Sequence, residues 1–154
     1  MAEEGAGPAE YLVKDVMTTP VVKVLPMISV REGAAIMVEK GIGSLVVVNE
    51  TDSLIGIVTK TDIVREVAAK GLDPSQVTIG DIMTRNPYYV FADDSLERAV
   101  DLMSSRNIGH LPVLDPETMK PIGMISKRDI VRLSPEYIRY VLILKLERER
   151  GVRG

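Results

Sequence analysis

Cysteine is absent from the 154 residues and His110 is the only histidine, so disulfides and thiolate metal cages are excluded and a structural zinc site is left almost without ligands. Long apolar runs are missing as well. Runs such as Ser44 to Val48 between Gly43 and Asn49 are strand-length, and none approaches the roughly 20 apolar residues of a bilayer span. Neither sign of charge dominates: 19 Lys plus Arg stand against 22 Asp plus Glu, and the net charge of −3 offers no general attraction to nucleic acid or anionic lipid. No Gly-rich phosphate loop and no recognisable nucleophile–base set can be read, so the chain is not expected to be an enzyme. Residues 1–10 hold three Glu but no Lys or Arg, the reverse of a secretory leader. A cytoplasmic chain with a loose N-terminus is expected, with neither membrane nor nucleic acid as partner. The apolar fraction of 45% suits one compact domain or two small interlocking halves.

What is present is a duplication. Asp15-Val16-Met17-Thr18 recurs as Asp81-Ile82-Met83-Thr84, and the segment from Gly41 to Val48 recurs from Asn107 to Leu114. Gly56-Ile57-Val58-Thr59-Lys60-Thr61-Asp62 returns as Gly123-Met124-Ile125-Ser126-Lys127-Arg128-Asp129. Three matched blocks in one order define a unit of roughly 60 residues, too small to bury a good core alone, so the two copies are expected to pack on each other.

Each copy reads as strand, helix, strand, strand, helix. A short apolar strand follows a proline (Val21 to Leu25; Tyr88 to Phe91). Ser29-Val30-Arg31-Glu32 then carries a capping-box signature that opens a helix to about Lys40, and Asp94 or Ser95 takes that role in the second copy. Two β-branched runs follow, Leu45 to Val48 and Leu54 to Val58, separated by the polar turn 49–53, and a helix begins near Thr61. Pro112 falls where the first copy has Val46, which predicts a strand edge or bulge. Met17, Met37, Met83, Met103, Met119 and Met124 are read as core fillers. Asp93-Asp94 is read as a helix start rather than a cation site.

The most informative spacing is Gly-x-x-Thr/Ser-x-x-Asp, present as Gly56, Thr59, Asp62 and as Gly123, Ser126, Asp129. It lies at a strand-to-helix junction both times. A hydroxyl at a strand's end and a carboxylate in the next helix's first turn offer acceptors for a ribose cis-diol beside free backbone N–H groups and nearby Lys or Arg for phosphate. The same spacing also describes a helix cap with an acidic residue at its third position, which needs no ligand. Duplication does not separate the two readings, since both copies would inherit a structural cap equally.

The ordered set of Asp-x-Met-Thr openings, Thr19-Pro20 and Asn86-Pro87, the Ile-Gly-x-Leu segments and both Gly-x-x-Thr/Ser-x-x-Asp blocks resembles a tandem of cystathionine β-synthase (CBS) domains, a Bateman module. The resemblance covers about residues 11–134. It implies an α/β fold of two intertwined CBS repeats with pseudo-twofold symmetry, at 11–72 and 73–134, flanked by the N-terminus 1–10 and a C-terminal helical extension 135–154. It implies clefts that bind adenine nucleotides. In one, Thr19, Pro20, Val24, Ile42, Gly43 and Ser44 would surround the base, Ser126 and Asp129 would hold the ribose, and His110 would face phosphate. In the other, Asn86, Pro87, Ile108, Gly109 and His110 would surround the base, with Thr59 and Asp62 on the ribose. Lys60, Lys127 and Arg128 would offer charge to phosphates.

The two clefts are not equivalent. Asn86 stands where the first copy has Thr19, and His110 is matched by Ser44, so the Asp129 cleft ranks above the Asp62 cleft. His110 has a second reading, as a half-buried residue capping its own strand.

Beyond Ser134-Pro135 the chain leaves the repeat, and Glu136 to Arg150 reads as a helix of about four turns with Ile138, Val141, Leu142 and Leu146 in one stripe and Ile143 and Leu144 widening it. From Ile138 onward five Lys or Arg face two Glu, read as a charged helix end. A role in dimer formation or in docking onto its own module is expected, and the resemblance implies a homodimer.

Two functions compete. One is a stand-alone regulatory, energy-sensing module that requires no cofactor, binds AMP first and then ADP, ATP or S-adenosylmethionine, and signals to an unknown regulated protein. The other is a ligand-independent assembly protein acting through its C-terminal helix.

Overall fold

The computed structural model describes residues 11–133 together with Arg139, Ile143, Leu144, Glu147 and Arg148. Both copies fold as strand, helix, strand, strand, helix. The first runs β1 (Lys23–Val24), α2 (Val30–Lys40), β2 (Ser44–Val48), β3 (Leu54–Thr59) and α3 (Lys60–Ile63), extended by π-type turns over Val64–Ala68. The second runs β5 (Val90–Phe91), α5 (Leu96–Arg106), β6 (His110–Leu114), β7 (Pro121–Ser126) and α6 (Lys127–Val131). Each is preceded by a one-turn helix, α1 (Val13–Val16) and α4 (Ile79–Ile82), and α4 leads into a short strand β4 (Thr84–Arg85).

The compact units do not coincide with the contiguous repeats. The first-repeat unit holds Val21–Tyr88 and Met119–Pro121, while the second-repeat unit holds residues 11–20, 89–118 and 122–133. Thus α1, which precedes the first copy in sequence, packs in the second-repeat unit, and α4 packs in the first. The backbone shows why. Val13 N donates to the Asp94 carbonyl and Leu96 N to that of Tyr11, whereas Val30 N donates to the Val77 carbonyl and Ile79 N to that of Ile28.

In the first-repeat unit the sheet order is β1-β2-β3-β4, with β1 parallel to β2 and the other pairs antiparallel. All five β2 residues are buried, as expected of a central strand covered on both faces. Ser29 caps α2 by accepting from Glu32 N, but the return bond of a full capping box is not formed. Val30, Gly33 and Met37 form the buried stripe of α2 and join Leu45, Val47, Val58, Val67 and Ile79 in one core. A Cβ on Gly33 would come 2.7 Å from Ile79 Cδ1, so the glycine makes room for α4. The matched residues in the other unit are Ala99 and Val13, both fully buried, where a smaller partner accompanies the larger helix residue.

In the second-repeat unit β5, β6 and β7 form the sheet, and Thr18 bridges Met124 at the position where β4 meets β3 in its counterpart. Its core gathers Leu96, Ala99, Val100 and Met103 from α5 with Val13, Leu111, Val113, Ile125 and Ile130, and Leu144 packs against it. Ser95 caps α5, accepting from Arg98 N. Asp94 closes the turn before it, taking Phe91 N at 2.8 Å.

Two expectations are corrected here. Pro112 does not mark an edge: it lies in β6, the central strand of its sheet. In the first copy Val46 N donates to the Val22 carbonyl at 3.1 Å; proline has no N–H to offer, and the β5–β6 ladder is confined to Val90↔Val113 and Phe91↔Leu114. A register irregularity lies in the first copy, between Val47 and Val48 of β2. Met119 is not a core residue. It is 47% exposed at φ 64° in the turn before β7, whereas Met37 and Met103 are buried and Met17 and Met83 pack against the two cores.

Of the predicted C-terminal helix, Arg139, Ile143, Leu144, Glu147 and Arg148 are helical, and the rest, including Pro135 and Ile138, lies outside the described residues. No helix among the described residues is long and apolar enough to cross a membrane.

Candidate functional site

The Gly-x-x-Thr/Ser-x-x-Asp blocks lie where β3 passes into α3 and β7 into α6. Both are full capping boxes. Thr59 Oγ1 accepts from Asp62 N at 3.3 Å while Asp62 Oδ2 accepts from Thr59 N at 2.8 Å. Ser126 Oγ accepts from Asp129 N at 3.2 Å while Asp129 Oδ2 accepts from Ser126 N at 2.9 Å and from Ser126 Oγ at 3.0 Å. The capping role is therefore realised in both copies, and it occupies Oδ2 each time. The second oxygen, Oδ1, is where the copies part.

Asp129 Oδ1 accepts from Thr18 Oγ1 at 3.1 Å. Asp62 Oδ1 instead accepts from an Arg65 guanidinium nitrogen at 2.7 Å. The Asp62 side chain is 9% exposed and Arg65 covers it from the solvent side with 58% exposure. Arg65 Nε is held in turn by Glu66 at 3.0 Å, and Lys70 bonds Glu66 at 2.7 Å. The hydrogen bond to Glu66, followed by the charge of Asp62, raises the pKa of Arg65 above its usual value. Lys70 and then Arg65 hold the Glu66 carboxyl below the ordinary carboxylate range.

The motif glycine has a steric reason. A Cβ on Gly56 would stand 2.5 Å from Met83 Sδ and 3.1 Å from the Thr84 carbonyl oxygen, and one on Gly123 would stand 2.7 Å from Met17 Sδ and 3.2 Å from the Thr18 carbonyl oxygen. The Met-Thr of each Asp-x-Met-Thr opening thus crosses directly over the glycine of a Gly-x-x-Thr/Ser-x-x-Asp block. The two repeated motifs are one structural feature.

Around each carboxylate the start of the preceding strand is brought in by matched backbone bonds. Lys127 N donates to the Gly109 carbonyl and Lys60 N to that of Gly43, both at 3.0 Å. The second-repeat unit accordingly gathers Thr18, Gly109, His110, Ser126, Lys127 and Asp129, with Thr19 and Pro20 exposed next to Thr18 and joined by a cis peptide bond. His110 opens β6 and is half-buried, Ile108 packs against the core, and Arg128 is exposed. The first-repeat unit gathers Gly43, Ser44, Thr59, Lys60 and Asp62, with Ser44 opposite Thr59 and buried, and Lys60 exposed. Asn86 N donates to the Ile55 carbonyl in the same unit, carrying Pro87 with it. Val24 is buried in that unit's core, with Ile42 packed against it.

Sequence reasoning missed two residues, Thr18 and Arg65. Thr18 lies within a repeated block, next to the Thr19 that the resemblance places at the base. Arg65 has a counterpart, Arg132, at the matched position; the readable difference is one residue further on, where Glu66 is replaced by Leu133. Without that carboxylate to orient it, Arg132 lies exposed past the end of α6, and among the described residues no cationic side chain bonds Asp129.

The CBS domain matches residues 13–69 and 79–136. The chain belongs to the CBS-domain family. The CBS pair it contains is similar to the solved CBS domain pair in complex with 5′-methylthioadenosine and S-adenosyl-L-methionine, at 34% identity and a TM-score of 0.72 over 79% of this chain and 94% of that one. It is 31% identical over 124 residues to hypoxic response protein 1 of Mycobacterium tuberculosis, covering 80% of this chain and 85% of that protein. Other relatives are longer. The CBS pair spans half of an uncharacterized protein of Methanopyrus kandleri, 40% identical over 99 residues. It spans about a quarter of a homoserine O-acetyltransferase and of an L-aspartate semialdehyde sulfurtransferase, so those names describe proteins of which this chain matches a minor part.

Proposed function

We propose that this CBS pair is a regulatory module that binds adenosine-bearing ligands without turning them over, with Asp129 as the ribose acceptor. The observation that carries this reading is the state of Asp129 Oδ1: half-buried at a strand-to-helix junction, it is engaged among the described residues by the neutral hydroxyl of Thr18. A ribose cis-diol supplies two hydroxyl donors of the same kind and can replace that bond without uncovering a charge. The solved relative bound to 5′-methylthioadenosine and S-adenosyl-L-methionine supports the ligand class. Lys127 and Arg128 on the first turn of α6 supply positive charge for a phosphate, which favours AMP, ADP or ATP over neutral adenosine derivatives. Binding changes what a regulated protein partner in the cytoplasm reads from the module.

The test is calorimetric titration of ligand-stripped protein with AMP, 5′-methylthioadenosine and 2′-deoxyadenosine 5′-monophosphate. Binding of the ribose ligands, with loss of affinity for the deoxy analogue and in Asp129→Ala, supports the reading. Equal binding of AMP and its deoxy analogue overturns the ribose assignment.

A second reading rests on Ile143, which is 51% exposed on the helix whose adjacent Leu144 packs on the second-repeat core. That exposed face would serve assembly into a homodimer. Light scattering of Ile143→Asp tests it, with a halved mass expected.

A further inference from the structure

The two carboxylates matched by the duplication differ in the chemistry of one bond, and we infer that Arg65 is a latch that closes the first-repeat carboxylate to ribose, leaving one ligand site per chain until the latch is released. This deepens the proposed function and rests on it.

Asp62 and Asp129 have the same cap, the same Oδ2 partner and the same strand-to-helix setting. They differ at Oδ1 and in burial, Asp62 being buried and Asp129 half-buried. At Asp129 an incoming diol displaces a hydroxyl bond of 3.1 Å and forms an equivalent one. At Asp62 it must displace a guanidinium at 2.7 Å from a nearly buried carboxylate. A charge-assisted bond is about twice as strong as a neutral one, and a diol cannot restore the lost charge compensation of a buried anion. The ribose therefore loses the competition at Asp62 and not at Asp129.

The latch is set by its own neighbours. Glu66 binds Nε of Arg65 while Asp62 takes the terminal nitrogen, so the guanidinium is clamped between two carboxylates, and Lys70 fixes Glu66. The second copy retains the arginine, as Arg132, and has lost the clamp: Leu133 replaces Glu66 and Tyr137 stands at the position of Lys70. The extension of α3 by π-type turns continues the helix through Arg65 and Glu66, whereas α6 ends at Val131, one residue before Arg132. Retention of the arginine together with loss of its clamp makes the difference between the copies a property of Glu66 and of helix length, not of the motif itself.

The experiment is calorimetric titration of the full chain with 5′-methylthioadenosine and with AMP, comparing wild type, Arg65→Gln, Glu66→Leu and the double variant Arg65→Gln/Asp62→Ala, each shown folded by circular dichroism. Glutamine keeps a neutral donor near Asp62, as Thr18 is to Asp129. Wild type is expected to bind one ligand per chain and Arg65→Gln two, with the added site lost in the double variant. Glu66→Leu, which reproduces the second copy, is expected to reveal the same added site at weaker affinity, and it serves if Arg65→Gln does not fold. One site in wild type and still one in both single variants overturns the latch while leaving the proposed function intact. Two sites in wild type also overturn it. No binding by any variant overturns both.

Discussion

Thr18 and Asp129 lie 111 positions apart, and the hydroxyl of the first donates to the carboxylate of the second at 3.1 Å. That bond ties the opening segment of the chain to the end of the second copy, alongside the bridge between Thr18 and Met124. Thr18→Val should remove it with little change of shape. A loss of about 1 kcal/mol is expected in urea denaturation, the net worth of one hydrogen bond at a partly exposed site. No loss would mean that the hydroxyl bonds water equally well.

The close passage of Met17 over Gly123 predicts a non-additive pair. Gly123→Ala places a methyl group against Met17 Sδ and the Thr18 carbonyl and should cost about 1–3 kcal/mol. Combined with Met17→Ala, the sum of the single effects should exceed the double effect, since the cavity left by one change accepts the methyl group of the other. Strict additivity in thermal or chemical denaturation would contradict the contact.

Much of this organisation can be read from the residues. The duplicated blocks foretell the element order. Ser29, Ser95, Thr59 and Ser126 cap helices as their types and positions suggest, because capping is local and is decided within four residues. The exchange of α1 and α4 between the units is not local. It depends on which core Val13 and Ile79 fill, and their flanking sequences are too alike to choose. The role of Glu66 was hidden for a related reason: a surface carboxylate on a helix reads as solvation until its partners Arg65 and Lys70 are seen to lead to Asp62. The exposure of Met119 follows from the left-handed turn, which composition does not reveal.

Acid should weaken the fold through surface carboxylates. Asp81 is held below the ordinary aspartate range, first by the backbone N–H of Thr78 and then by the Thr78 side chain, and Glu66 is lowered by Lys70 and Arg65. Because the folded pKa is depressed, each contribution is complete above the unfolded value, about 3.9 for Asp and 4.3 for Glu, and is lost as pH falls through the folded value. The melting temperature should hold steady from pH 7 to about pH 5 with respect to these groups and fall below about pH 4. Asp81→Asn should flatten part of that fall. An acid limb identical to wild type would remove Asp81 from the account.

Added salt offers a separate check on the Lys70–Glu66–Arg65 chain, whose members are substantially exposed. Raising ionic strength from about 0.01 M to about 1 M shortens the screening length from about 30 Å to about 3 Å. The stability difference between wild type and Glu66→Leu should shrink accordingly. A difference unchanged by salt would assign the effect to packing.

The most direct measurement is a thermal-shift titration of ligand-stripped protein with AMP and with 5′-methylthioadenosine, run on wild type and Asp129→Ala. At 100-fold excess over the dissociation constant a single site stabilises the fold by about 2.7 kcal/mol. A shift of that size in wild type, lost in Asp129→Ala, is predicted. An undiminished shift in Asp129→Ala, or none with either ligand in wild type, would contradict the assignment of Asp129 as the ribose acceptor.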